Sequence, residues 1–365
     1  MDRRVFSNLN WWYIGLVLGI SVLGVVFIYS ANHGRPELFF RNLYLKQIYW
    51  ILLGLAAMIL AVSIDYRMLG RYAYLIYLLT LMGLVLVIFF GVSASGSQRW
   101  LAVGPVSLQV SELAKLALVL ALARYFENTK PQNQYEFKDL LIPALMTGVM
   151  GWLIYKQPDL GTAMIIFGLF FVFVLAVELP SKTLIKFLGA CLALAPALWF
   201  FLKDYQKARI MTFLNQEMDP LGAGYQSIQS KIAIGSGGFW GKGLLAGTQS
   251  RLNFLPEKHT DFIFSVFAEE AGFFGVAVLL VLYLVLILKG LNIAYRAADR
   301  FGLFLAIGIT GYLTFYIIYN IGMTIGIFPI TGIPLPLFSY GGSSLVTTYF
   351  ALGLMLNIEA RRTLL

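Results

Sequence analysis

The chain has 365 residues, 59% of them hydrophobic and only 12% charged, where an ordinary soluble domain carries about 25% charged residues. Its formal net charge of +9 is scattered over short loops, which argues against a nucleic-acid partner and for a role in membrane orientation. Cys191 is the sole cysteine and lies inside an apolar run; with only His33 and His259 beside it, neither an internal disulfide nor a zinc site is available.

In chain order, apolar runs at approximately 11–31, 47–63, 72–92, 108–126, 140–155, 161–178, 183–202, 261–288, 301–327 and 337–357 approach or exceed the length that crosses a hydrocarbon core of about 30 Å. They are continuous rather than alternating every second residue, which excludes a β-barrel. The expected fold is an all-α polytopic membrane protein with ten transmembrane helices, a single integral membrane domain over residues 1–365. The first run is too long for a signal-peptide core and lacks an A-x-A-type cleavage site, so it reads as a retained span.

With the N-terminus cytoplasmic, short inner segments hold 13 Lys and Arg residues and short outer loops hold 5. This favours cytoplasmic N- and C-termini. One polar loop, residues 203–260, then lies outside between spans 7 and 8. ATP and nucleotide sugars are scarce outside a bacterial inner membrane. A reaction there needs a substrate that arrives activated, such as a lipid-linked pyrophosphate. No internal repeat supports an inverted-repeat transporter.

Gln98-Arg99-Trp100, in the second outer loop, offers a cation and an interfacial aromatic, although a Trp at that depth also serves as a plain anchor. Glu112 and Lys115 are three apart in the fourth span and share a helix face. They form either a structural ion pair or a polar wall of a substrate cavity, with Lys115 available to a pyrophosphate; charge at this depth favours the second. Asp159 is placed to cap the sixth span.

Within the long loop, Ile228, Lys231 and Ile232 fall at helical spacing, as in an amphipathic helix lying in the interface. Residues 235–243 then break it. Ser236 stands where a Walker A loop has its first glycine and Gly243 replaces its Ser/Thr, so this is no P-loop. A flexible interfacial turn and a backbone nest with Lys242 for a phosphate both fit.

Asp261 follows Thr260, a good N-cap residue, and falls in the expected first turn of the eighth span. The helix dipole favours its anion while partial burial opposes it, as suits a general base; a helix-capping acid is the alternative. Positions i+4, i+7 and i+11 are Ser265, Ala268 and Gly272, a small face with room for a cavity or a close helix contact. Glu270 projects opposite Asp261, so both cannot face one cavity, and one of Glu269 and Glu270 reads as a structural bond to neighbouring helices. Residues 328–344, with three prolines and paired glycines, are incompatible with a continuous helix and would present backbone groups and the Ser343 and Ser344 hydroxyls to a ligand, or merely kink.

The run Gln226…Gln229-Ser230…Gly235-Ser236-Gly237-Gly238…Gly241-Lys242-Gly243…Leu255-Pro256-Glu257…His259-Thr260-Asp261-Phe262…Glu269-Glu270…Gly272, followed by Pro334-Leu335-Pro336…Ser339-Tyr340-Gly341-Gly342-Ser343-Ser344, resembles the signature of the SEDS proteins (shape, elongation, division, sporulation) over essentially the whole chain. Residues 331–336 and the short tail after Glu359 are similar to the rod-elongation branch.

The resemblance implies a GT-C-like helical fold and a peptidoglycan glycosyltransferase at the outer face of the inner membrane. The expected substrates are lipid II and undecaprenyl-pyrophosphate-linked glycan, and the expected partner is a class B penicillin-binding protein. By motif, Asp261 matches the family's catalytic aspartate, Glu112 and Lys115 its charged cavity pair, and Trp100, beside Arg99, a functional position in the early outer loop. Charge on the leaving pyrophosphate is expected to be met by Lys115, Lys242 or Arg209, or by a divalent cation (magnesium or manganese) that the sequence does not place. A lipid II flippase and a noncatalytic scaffold remain the alternatives.

Overall fold

A computed structural model describes the chain except residues 1–6, 34–36, 95–96, 104–105, 130–134, 178, 217–218, 220–221, 252–254, 256 and 363–365. Its long helices are α1 (Trp11–Asn32), α2 (Leu43–Ser63), α3 (Ala73–Phe90), α4 (Val110–Asn128), α5 (Leu141–Lys156), α6 (Leu160–Ala176), α7 (Ser181–Phe201), α8 (Asp204–Leu214), α9 (Ala223–Ser236), α10 (Ile263–Tyr295), α11 (Arg300–Thr324) and α12 (Gly342–Arg361). Among the described residues, six helical segments are clearly long and apolar enough to cross a membrane: α1, α2, α3, α5 with its leading turn, α10 and α11.

Burial sorts these helices. α4 is buried at every position from 114 to 123, Lys115 included, so it is the axis of the bundle. α11 packs beside it and against α6 and α10. α3 instead turns Leu75, Leu78, Leu79, Met82 and Phe89 outward, a lipid-compatible face. Small residues let backbones approach: Gly54 of α2 lies under the Tyr349 ring of α12, and Gly353 of α12 lies on Met58 and Ala61 of α2. Asn357 closes the same pair, its buried amide donating to the carbonyls of Ala61 (2.7 Å), Val62 (3.0 Å) and Ile64.

Two sequence expectations shift. The second outer loop is a small antiparallel sheet, β1 (Val92–Ala94), β2 (Ser97–Val103) and β3 (Val106–Gln109), in order β1-β2-β3. The last helix starts at Gly342 rather than 337, because Leu337 adopts φ 66° and the prolines before it supply no N–H. The expected Asp159 cap is present, its carboxylate accepting from the Thr162 N–H (3.1 Å) and hydroxyl (2.9 Å).

Beyond the C-terminal end of α10, Asp299 caps α11 and gathers the Gly302 N–H (2.7 Å), the Tyr66 hydroxyl (2.6 Å) and Arg67 Nε (2.9 Å). Burial pushes this carboxyl up, but those donors outweigh it and hold it below the usual carboxylate range.

Candidate functional site

Asp261 lies in a turn, two residues before α10 begins. The expected capping is therefore corrected: the helix is capped at Phe262 without a side-chain bond, and the Thr260 hydroxyl donates back to Glu257. Because the helix starts late, the carbonyls of residues 259–261 lack helical partners. Each finds a donor elsewhere. Tyr340 N–H donates to His259 O (3.0 Å), Ser339 Oγ to Thr260 O (2.7 Å) and Asn320 Nδ2 to Asp261 O (3.0 Å). Leaving such groups buried and unmet costs about 1–3 kcal/mol each.

Those donors belong to α11 and to the irregular strap of residues 325–341. The strap is buried at residues 331, 333 and 335–339, and carbonyls along it are met by side chains: Pro329 O by Tyr319 (3.1 Å), Ile333 O by Asn320 (2.7 Å), Pro336 O by Tyr283 (2.7 Å) and Ser339 O by Gln47 (3.0 Å). This is how non-helical backbone survives inside a bundle. It also means that these carbonyls face inward rather than toward a ligand. Gly332 (φ 78°) passes so near the acid that a Cβ there would sit 3.3 Å from Asp261 Oδ2. Asp261 itself is half-buried.

Glu112 and Lys115 form the expected i,i+3 pair at 2.7 Å. Lys115 is fully buried, bonds the Tyr316 hydroxyl, and has the Tyr316 and Tyr312 rings at 4.5 and 5.4 Å. It is enclosed rather than open along a cavity wall. Tyr316 and Asn320 are four apart on α11, so the ion pair and the Asp261 turn touch one helix face a single turn apart.

Lys242 pairs with buried Glu269 at 2.7 Å, and Glu269 also accepts from Thr248 N–H (2.8 Å) and Gln249 N–H (3.1 Å). The charge of Lys242 is thus matched inside the protein. The glycine segment is neither nest nor flexible turn. Gly272 (φ 66°) breaks α10, and the segment splices into the break. Lys242 N–H and Gly243 N–H donate to Glu269 O and Glu270 O (both 3.0 Å); Phe273 N–H and Phe274 N–H donate to Gly238 O (2.9 Å) and Phe239 O (3.1 Å). The small face at Ser265, Ala268 and Gly272 is filled by a close helix contact, with Ser230 Oγ 2.7 Å from Ser265 Oγ. α9 packs on Ser227, Ser230 and Ala233, which are buried, and turns Ile228 and Ile232 outward.

Arg209, on α8, lines a small pocket with Thr212, Gln216, Ser227 and strap residues Phe328–Ile330. Phe328 and Tyr319 also line an apolar cavity of about 460 Å³ between α6, α10 and α11. Trp100 pairs in register with Gln109, the N-cap of α4, which brings it near the Glu112 end of that helix. Arg99 lies on β2, with its side chain outside the described residues. Ser343 sits half-buried in the first turn of α12. Asn320 and Gln47 were not singled out from the sequence, although an amide inside an apolar span is itself a signal, and Ser339 and Gly332 entered only within the family motif.

The FtsW/RodA/SpoVE family, described as cell cycle proteins, matches residues 10–364. The chain is 42% identical to the peptidoglycan glycosyltransferase MrdB of Escherichia coli (strain K12), covering 96% of this chain and 93% of that one. It is 33% identical to the peptidoglycan glycosyltransferase RodA of Treponema pallidum, covering 99% and 100%. Among solved structures, a chain of a peptidoglycan synthase complex that coordinates polymerization and crosslinking superimposes with TM-score 0.83 at 37% identity, covering 97% and 98%. The rod shape determining protein RodA of Thermus thermophilus gives TM-score 0.71 at 32% identity, covering 97% of each chain.

Proposed function

The chain belongs to the FtsW/RodA/SpoVE family and is a peptidoglycan glycosyltransferase, and from that premise we propose that Asp261 is the base with which it polymerises lipid II. One observation carries this reading. Along its sequence the strap borders three chemistries in turn: an apolar cavity bounded by Phe328, a cationic pocket where Arg209 meets Phe328–Ile330, and a carboxylate beside Gly332. A polyprenyl diphosphate sugar has the same order of tail, charge and sugar.

In this mechanism the donor is a growing glycan on undecaprenyl pyrophosphate and the acceptor is lipid II. Asp261 removes the proton from the acceptor's sugar 4-hydroxyl. That oxygen forms the new glycosidic bond as the bond to pyrophosphate breaks, with inversion at the anomeric carbon. Pyrophosphate leaves as an anion and needs charge neutralisation rather than a general acid. Arg209 supplies positive charge at the strap. A divalent ion would supply more; among the described residues no three His, Cys, Asp or Glu side chains converge to hold one. Lys115 and Lys242 act through the elements that they pin, Ser343 and Trp100 as polar and aromatic borders of the site, and Arg99 as a second outer cation.

The proposed topology has ten spans, cytoplasmic termini and an extracytoplasmic 203–260 loop in the bacterial inner membrane. The proposed partner is a class B penicillin-binding protein that cross-links the new strands. The test is incubation of the purified chain, alone and with such a partner, with lipid II. Glycan polymer is the expected product. Lipid II moved between leaflets without polymer would overturn the reading in favour of a flippase.

A further inference from the structure

We infer that Asn320 is a positioning residue for the Asp261 carboxylate, acting as a cross-brace between the acid-bearing turn and the strap on which that carboxylate rests. The inference rests on the proposed role of Asp261. Asn320 is fully buried on α11. Its single amide nitrogen donates to two carbonyls from separate parts of the chain, Asp261 O at 3.0 Å and Ile333 O at 2.7 Å. Ile333 is the residue after Gly332, which lies against Asp261 Oδ2. One side chain therefore fixes both the root of the acid and the surface beneath its tip.

Ser339 Oγ reaches Thr260 O and Tyr340 N–H reaches His259 O, so both hold the turn upstream of the acid. Asn320 bonds Asp261 and the Gly332 flank together. Its place on α11 adds a second consequence. Tyr316, one turn away, is bonded to Lys115, so the helix that carries the brace is itself anchored to the buried ion pair.

The chain contains a matched control. Asn357 is equally buried and also donates its amide to strands of freed backbone, at Ala61, Val62 and Ile64, at the far end of α2 from Gln47 and the strap. Asn320→Asp and Asn357→Asp each exchange an amide donor for a carboxyl of the same shape at a fully buried position, with Arg361 Nε already donating to the Asn357 oxygen at 2.9 Å. Only the first lies on the acid.

The experiment measures lipid II polymerisation per folded molecule for the full-length chain with its cross-linking partner, together with melting temperature. Displacement of a catalytic group by about 1 Å costs on the order of 100-fold. The expected result for Asn320→Asp is a kcat lowered by about 10- to 100-fold with KM nearly unchanged, while Asn357→Asp melts earlier but keeps the parental kcat. Ser339→Ala, which loosens the turn one residue upstream, covers the case in which Asn320→Asp fails to fold; a kcat loss of at least about 3-fold is then expected, smaller than the roughly 100-fold scale of misplacement. Parental kcat in folded Asn320→Asp, equal kcat losses in the two Asn variants, or parental kcat in Ser339→Ala when Asn320→Asp does not fold would overturn the inference. Asp261→Asn in the same assay separates the two claims: if it polymerises at the parental rate, the underlying reading fails, and if it is inactive while Asn320→Asp is not, only the brace fails.

Discussion

Glu112 and Asp261 are held in the bundle by different atoms. Glu112 is fixed through its charge: the carboxylate takes Lys115 at 2.7 Å, deep beside the tyrosines of α11. Asp261 is fixed through its main chain, with Asn320 on its own carbonyl and Ser339 and Tyr340 on the two before it. The first arrangement makes charge part of the architecture. The second orients a carboxylate by bonds that would survive its neutralisation, which is what a group that must gain and lose a proton requires.

The sharpest way to break this contrast is to neutralise each partner. Asp261→Asn is expected to slow polymerisation by about 10²–10⁴-fold, the usual worth of a general base, with little change in melting temperature. Lys115→Met leaves Glu112 buried and uncompensated, and is expected to cost about 3–5 kcal/mol of stability, read by denaturation in detergent. A Lys115→Met protein as stable as the parent would remove the architectural half of the comparison.

A smaller effect is expected at the splice. Gly272→Ala puts a Cβ into the Gly241 backbone at φ 66°, so a loss of about 1–3 kcal/mol follows from strain of this kind. Hydrogen exchange at Lys242, Gly243, Phe273 and Phe274 should speed up together if the four bonds form one unit.

The smallest effect belongs to Asp299, which sharpens the comparison from the other end of the bundle. Its folded-state carboxyl is depressed, despite burial, by Tyr66, Gly302 and Arg67. A depressed acid contributes stability that is present above its unfolded value, about 3.9, and lost as pH falls through the folded one. The parent should therefore melt above Asp299→Asn at neutral pH, and the gap should narrow below about pH 4. A gap independent of pH would mean that packing, not charge, joins α11 to Tyr66 and Arg67.

The long helices were legible because apolar length is written locally, but their ends were not: Tyr295 closes α10 well past the expected 288, and α12 begins at Gly342 rather than 337. Also legible were the Asp159 cap and the broken helix before Gly342, where proline and glycine leave no continuous alternative. The sheet at residues 92–109 carried a signal in its flanking Val, Trp and Leu residues around Gly104-Pro105, and it was hidden by the expectation of a plain loop between spans. The splice was not legible. A glycine in a span is ordinary, and the segment that fills its break lies some 30 residues upstream, joined only by backbone bonds that carry no residue code. Asn320 was missed for a related reason: its partners are carbonyls, which every residue has. The Asp261 side chain was found because carboxylates at a membrane edge are rare, whereas its supports were found only in three dimensions.

The most direct measurement follows lipid II turnover and thermal melting in one preparation of Asp261→Asn beside the parent. A rate lower by about 10²–10⁴-fold with an unmoved melting curve is the predicted result. Parental turnover, or a rate lost only because the protein melts, would contradict the assignment of Asp261 as a base held by its backbone.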